Sequence, residues 1–269
     1  MKTLRIAIAQ FNSRLGDLSG NTAEVTRLSR EASQQGARLI LFPEGCLTGN
    51  AHKDARRQAV LPVEAQVFQP LRAVADEQNI TICAGFATPY NDKFNIVHAI
   101  LQPGAKPLFQ RKAWRDQNEP VFLEPWSDPA RVPFVVDGVR LAVAICSEYG
   151  AQKIEAALAK VKPAVILQPS AGSLTEDQVW KDNTKPTAAA TAFGQEYQGV
   201  VQRAVKDVQR RRVAKLGANP IGFDGETWWP GNSFAIDATG KVLIWLEGEN
   251  RPSRMKAAVG VAELTIAES

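Results

Sequence analysis

Residues 137–146, Asp-Gly-Val-Arg-Leu-Ala-Val-Ala-Ile-Cys, decide how this chain is read. Asp137-Gly138 is a turn signal that separates Phe134–Val136 from a continuous apolar run ending on a thiol, Cys146. A short apolar run bounded in this way reads as a buried strand. Arg38-Leu-Ile-Leu-Phe-Pro-Glu44 repeats the design with a carboxylate at its end, and in Leu4 to Gln10 Ile6 and Ile8 alternate with alanines. Buried strands of this kind belong to α/β proteins, in which ligand sites collect at strand C-termini.

Outward from these strands the pattern alternates. Helices are expected over Asn21 to Gln35, Val67 to Gln78, Ala151 to Lys160 and Glu196 to Arg212. Further strands are expected over Ile80 to Phe86, Asn95 to Leu101, Lys106 to Gln110, Ala164 to Leu167, Val213 to Asn219, Ser233 to Asp237, Val242 to Leu246 and Ala258 to Leu264. Arg111 to Asp128 has no period and reads as irregular. Ser170 to Gln195 resists assignment, as lids and binding loops often do. Strands, helices and hairpins mixed in this way indicate an α/β fold of layered sheets. With no Gly/Ser linker, low-complexity tract or repeat, residues 1–269 are expected to form a single domain.

Composition excludes several functions. Hydrophobic residues make up 45% and charged residues 22% of 269, as in an ordinary globular protein with a sizeable core. The net charge of +4 is small, and its one dense cluster, Arg210-Arg211-Arg212, reads as a solvated helix face or an ion-pair partner. No nucleic-acid partner is expected, because no stacking aromatics flank that cluster. No stretch is long and apolar enough for a membrane span or a signal peptide, so a cytoplasmic location is expected. Three cysteines (Cys46, Cys83 and Cys146) without a CxxC pair argue against a disulfide framework. Cys46 and Cys83 read as buried apolar residues.

The scarce residues narrow the chemistry. The only histidines are His52, in a polar loop, and His98, between Val97 and Ala99 in a strand, and neither is placed as a catalytic partner. No HExxH or other metal-ligand spacing and no phosphate-binding glycine loop is present, so no metal or cofactor is expected. What remains is a thiol and a carboxylate at the ends of apolar strands. Each alone has an ordinary structural explanation.

Taken together they resemble the nitrilase superfamily of carbon–nitrogen hydrolases. IAIAQFNSRLGDLSGN (residues 6–21, with Gly16, Asp17 and Asn21) resembles the opening strand and turn of that family. FPEGCLTG (42–49) resembles its glutamate motif and carries Glu44, FQRKAW (109–114) its lysine motif and carries Lys112, and DGVRLAVAIC its strand to the nucleophile, Cys146. ILQPSA (166–171) and WPGNSFAIDATGKVL (229–243) resemble later motifs, and Glu119-Pro-Val-Phe-Leu-Glu124-Pro resembles the loop holding a second catalytic glutamate, Glu119, with Glu124 at a structural position. The first segment is also similar to the glutamine-hydrolysing domain of some NAD synthetases, whose synthetase half has no expected counterpart within these 269 residues. The chain departs from the pattern at Ala113-Trp114-Arg115 after the lysine, at Ser147-Glu148-Tyr149-Gly150 after the cysteine, and at Gln168, where the family has Asn.

The resemblance implies a four-layer α-β-β-α sandwich, a homo-oligomer (dimer or larger), and a thiol hydrolase that cleaves the non-peptide C–N bond of a small amide, releasing ammonia. Cys146 would form a thioester, Glu44 would act as general base and then acid, Lys112 and the Ser147 backbone N–H would hold the oxyanion, and Glu119 would orient the substrate or Lys112. A lysine beside the thiol is expected to lower its pKa. Nitrilase and N-carbamoyl-amine hydrolase activity share this set, and a non-catalytic binding or scaffold role is the alternative of another class. Tyr149, Trp180, Trp228 and Trp229 are candidate pocket walls, with core packing as good an explanation. The apolar face of Val200, Val201, Ala204, Val205 and Val208 suits either a subunit interface or the core.

Overall fold

The computed structural model describes residues 1–51, 56, 58–175, 180–182, 185, 186, 188–223, 227–246 and 256–267. The alternation of large and small side chains on the central strands sets the architecture. The first sheet contains β1 (Lys2–Gln10), β2 (Leu39–Leu41), β3 (Thr81–Tyr90), β4 (Lys93–Leu101) and β5 (Leu108–Arg111) in that spatial order. The second contains β6 (Phe134–Val136), β7 (Val139–Val143), β8 (Val165–Pro169), β12 (Ala214–Ala218), β15 (Ser233–Ile236) and β16 (Val242–Leu246). The last strand, β17 (Ala258–Ile266), returns to the first sheet and lies antiparallel to β1. Between them in the chain lie β9 (Leu174–Thr175), β13 (Ile221–Phe223) and β14 (Thr227–Pro230), which pair with one another, and the pair β10 (Trp180–Asp182) and β11 (Lys185–Pro186). Each main sheet is parallel at its centre, through β1, β2 and β3 in one and β7, β8 and β12 in the other.

Successive side chains on a strand point to opposite faces. On β1 the large residues Leu4, Ile6 and Ile8 enter the core between the sheets, while Ala7 and Ala9 lie beneath α1 (Leu18–Gln34) and α2 (Phe68–Gln78). The run before Cys146 does the same, with Leu141, Val143 and Ile145 facing the other sheet and Ala142 and Ala144 under α3 (Gln152–Val161). α4 (Ala188–Arg211) covers the rest of that face. Bulk between the sheets and alanine beneath the helices yield an α-β-β-α sandwich.

Several expectations are corrected. α4 starts at Ala188, eight residues before the expected Glu196, because its first turns (Ala-Ala-Ala-Thr-Ala) have strong helix propensity but no apolar period. β3 runs on to Tyr90, and its hairpin turns at Asn91, whose φ of 52° suits an asparagine. Of the α4 face, Val201, Ala204 and Val208 pack on Phe234 and Ile236, so core packing accounts for them. Arg210 and Arg211 both pair with Asp207, and Arg211 also pairs with Glu155, which identifies the arginine cluster as an ion-pair group. Among the described residues no helix is long and apolar enough to cross a membrane. His52 lies outside the described residues.

His98 is fully buried on β4, and burial pushes its pKa down to about 3, so it stays neutral in the folded chain. An unfolded histidine titrates near about 6.5, so between that value and 3 the unfolded state holds the extra proton and stability falls as pH falls. Urea unfolding at pH 7 and pH 5 is expected to show the native protein losing about 2 kcal/mol more than His98→Leu over that step. Equal losses would show that His98 is not held neutral.

Candidate active site

Glu44, Lys112, Glu119 and Cys146 converge at the C-terminal ends of strands from both sheets. β2 ends at Leu41, and the turn that follows is fastened by Phe42 N–H to the Cys83 carbonyl (2.9 Å), Leu47 N–H to the Gly85 carbonyl (2.9 Å) and Glu44 N–H to the Ser170 carbonyl (3.2 Å). Residue 85 must be glycine for this turn to pack, since a Cβ there would lie 2.7 Å from the Gly45 nitrogen and 3.0 Å from the Pro43 carbonyl oxygen. Lys112 follows β5 directly. Its N–H donates to the Ile96 carbonyl (2.8 Å), and its own carbonyl accepts from Trp126 N–H (2.8 Å) and Asn95 Nδ2 (2.9 Å).

Cys146 leaves β7 in a sharp turn with φ of 50°, a left-handed conformation that side chains rarely adopt. Such a conformation costs on the order of 1 kcal/mol or more and persists where neighbouring contacts enforce it. Here Gln168 Nε2 donates to the Cys146 carbonyl (3.1 Å), and the backbone of Ala171 hydrogen-bonds the thiol. The turn lifts the side chain out of the strand's alternation and presents it at the sheet end.

Acceptor atoms of Glu44, Glu119 and Cys146 all lie within 4.8 Å of one another. Into this group Lys112 inserts its ammonium, with Nζ 2.9 Å from Glu44 Oε1 and also bonded to Glu119 Oε1. A set that could otherwise suit a cation therefore already contains one, supplied by the chain. Burial raises the Glu44 carboxyl above its ordinary value against the pull of Lys112, with Glu119 adding to the rise. Burial works against the Lys112 ammonium, but Glu44, Cys146 and Glu119 outweigh it and hold Lys112 above its ordinary value. The thiol differs from expectation: burial and the Glu44 charge raise its pKa, and Lys112 only opposes them. These shifts favour a thiol that keeps its proton beside a carboxylate of raised basicity, an arrangement suited to passing a proton from sulfur to carboxylate.

A second buried ion pair joins the two sides of the site. Arg131 and Glu148 have fully buried side chains, with Nη1 2.5 Å from Oε1. The same carboxylate accepts Ala113 N–H (2.8 Å), next to Lys112, and Ile145 N–H (2.7 Å), next to Cys146. Sequence reading had assigned no role to Arg131. The available signal was a lone charge in the otherwise apolar run Ala130-Arg131-Val132-Pro133-Phe134. Gln168 and Ala171 were missed as supports because they act on backbone and sulfur rather than through reactive groups.

A cavity of about 270 Å³ opens beside the thiol, lined by residues that include Cys146, Ser147, Tyr149, Gln168, Asn219 and Phe234. Tyr149 forms a wall with its ring, because its hydroxyl donates to Asp207 and Lys215 Nζ sits 3.6 Å from the ring centre. Trp228 and Trp229 are buried on β14, which pairs between β13 and β9, and neither is among the described residues lining this cavity. Trp180 opens β10, and its side chain lies outside the described residues. Cys46 and Cys83 are fully buried, and burial pushes the Cys46 thiol up to about 12.

Comparison with known proteins adds an independent line. The carbon–nitrogen hydrolase family model matches residues 5–267. A hydrolase of Mycobacterium tuberculosis is 30% identical over 154 residues, which is 53% of this chain and 52% of that one. The structure of glutamine-dependent NAD+ synthetase from Acinetobacter baumannii superposes with a TM-score of 0.76 at 18% identity, covering 100% of this chain and 48% of its own. An amidase from Nesterenkonia of the nitrilase superfamily superposes at 0.75 and 18% identity, covering 97% and 91%. The matched region thus spans about half the length of the mycobacterial hydrolase and of the synthetase.

Replacing one partner of a buried ion pair strands the other charge, at about 3–5 kcal/mol. Glu148→Gln is expected to lower unfolding free energy by that order, measured as a shift in the urea midpoint. A change under about 1 kcal/mol would remove Glu148 from the role of brace.

Proposed function

The chain belongs to the carbon–nitrogen hydrolase family, and from that premise we propose that it hydrolyses the C–N bond of a small amide with Cys146 as nucleophile. The observation that carries this reading is the Lys112 ammonium seated between Glu44 and Glu119, with Cys146 adjoining both carboxylates at the mouth of a cavity of about 270 Å³. That volume lies at the small end of ligand pockets and suits a short acyl group.

In this mechanism the Cys146 sulfur attacks the amide carbonyl carbon as Glu44 takes the thiol proton. The carbonyl oxygen becomes an oxyanion, held by Lys112 Nζ and the Ser147 backbone N–H. Glu44 then gives the proton to the amide nitrogen, the C–N bond breaks, ammonia leaves and a thioester remains. Water attacks the thioester with Glu44 again as base, releasing the carboxylic acid and restoring the thiol. Glu119 accepts from Lys112 and from the substrate amide. The raised basicity of Glu44 serves both directions of its proton transfer.

Ammonia release from a panel of short amides, glutamine, nitriles and carbamoyl amines measures this reading. Short amides are expected to give ammonia, and Cys146→Ala to abolish it. Glu44→Gln should lower kcat by about 10²-fold or more, and Lys112→Ala by about 10²- to 10³-fold. Release that survives Cys146→Ala would sink the mechanism. Activity confined to nitriles or carbamoyl amines would reassign the substrate, and silence across the panel would favour a non-catalytic binding protein.

A further inference from the structure

Glu119 stands in an irregular loop, where a carboxylate can turn its oxygens unless donors fix them. Oε1 accepts from the Lys112 ammonium. Oε2 accepts from Asp116 N–H (2.9 Å) and from the Ser147 hydroxyl (2.5 Å). Arg115 Nη1 holds the Glu119 carbonyl (2.8 Å), so Asp116 and Arg115 tie Glu119 only to its own loop. Ser147 is the residue after the nucleophile, lines the same cavity and belongs to the turn at the end of the other sheet. Its hydroxyl therefore links the loop of the second glutamate to the turn of the thiol. An O–H donated to a carboxylate is among the stronger and shorter hydrogen bonds.

We propose that the Ser147 side chain is a positioning residue for the reaction: its hydroxyl pins Glu119 Oε2, so that Oε1 remains on Lys112 and toward an amide seated at Cys146. Ser147 then has two separate tasks, with its N–H directed at the oxyanion and its O–H at Glu119. The proposal rests on Cys146 being the nucleophile. It extends that reading to a side chain at which this sequence carries a short hydroxyl. Alanine at 147 keeps the backbone N–H and leaves Oε2 only the Asp116 donor. Threonine keeps a hydroxyl on the same carbon.

The test needs no identified substrate. Modification of Cys146 is followed by intact mass with two probes, 2-chloroacetamide, which presents a carboxamide, and methyl methanethiosulfonate, which does not. Ser147→Ala is expected to slow the carboxamide probe about tenfold while changing the other by less than about twofold, with the thermal midpoint retained. Ser147→Thr should return the carboxamide rate to within about threefold of the native one. In a Glu119→Gln background, Ser147→Ala should add less than about twofold, since the hydroxyl acts through Glu119. An unchanged carboxamide rate in Ser147→Ala, equal slowing of both probes, or a full effect in the Glu119→Gln background would each overturn the proposal. A native protein whose Cys146 reacts no faster than Cys46 or Cys83 overturns the nucleophile reading and this proposal with it. A reactive Cys146 indifferent to Ser147 overturns this proposal alone.

Discussion

An ammonium group held out of water between two carboxylates is the constraint around which this end of the molecule is arranged. Removing charges from water costs several kcal/mol per ion even after relaxation, and their mutual attraction offsets that cost only where geometry is close and further hydrogen bonds are made. Lys112 and Glu44 are almost fully buried and meet at 2.9 Å, so each chain segment bearing a charge needs a rigid seat. Asn95 and Trp126 hold the lysine's carbonyl, Ser170 holds the glutamate's N–H, and Glu148 holds the neighbours of both Lys112 and Cys146. The second ion pair, Arg131–Glu148, thus serves the first, because its carboxylate accepts backbone donors from both sides of the site.

Most of the fold was legible because side-chain size alternates along the strands. Ile6 and Ile8 among alanines, and the apolar run before Cys146, carry the positions of their strands in local sequence. The short strand β9 carries no such signal, since its pairing depends on a partner far along the chain, Thr227 opposite Thr175, and β10 and β11, which pair with each other, are only three and two residues long. The start of α4 was hidden for a different reason. A run of alanines favours helix without marking which side faces the core. An aromatic residue near a polar loop fits a pocket wall or a packed strand equally, and the burial of Trp228 follows from the pairing of β14 with its two neighbours.

In the site, the residues that end strands could be read in advance, and their electrostatics could not. A lysine near a thiol suggests a lowered pKa, yet the balance here depends on depth: burial outweighs the lysine for Cys146 and raises Glu44. Those magnitudes come from the surroundings of the whole sandwich and leave no trace in the motif. Glu119, in a loop without periodicity, was suggested by resemblance. Its anchoring by Asp116 and Ser147 is a property of the folded loop.

Glu44 and Lys112 ride on one sheet and Cys146 on the other, so the cluster spans the two leaves of the sandwich like the jaws of a caliper, with aliphatic side chains packed between them. Leu141, Val143 and Ile145 meet Ile6, Ile8 and Leu41 there. The jaws are also clasped directly, by the Glu44 N–H on the Ser170 carbonyl and by the Ser147 hydroxyl on Glu119. Bulk between the sheets therefore helps to hold the two halves of this cluster together as well as supplying cohesion.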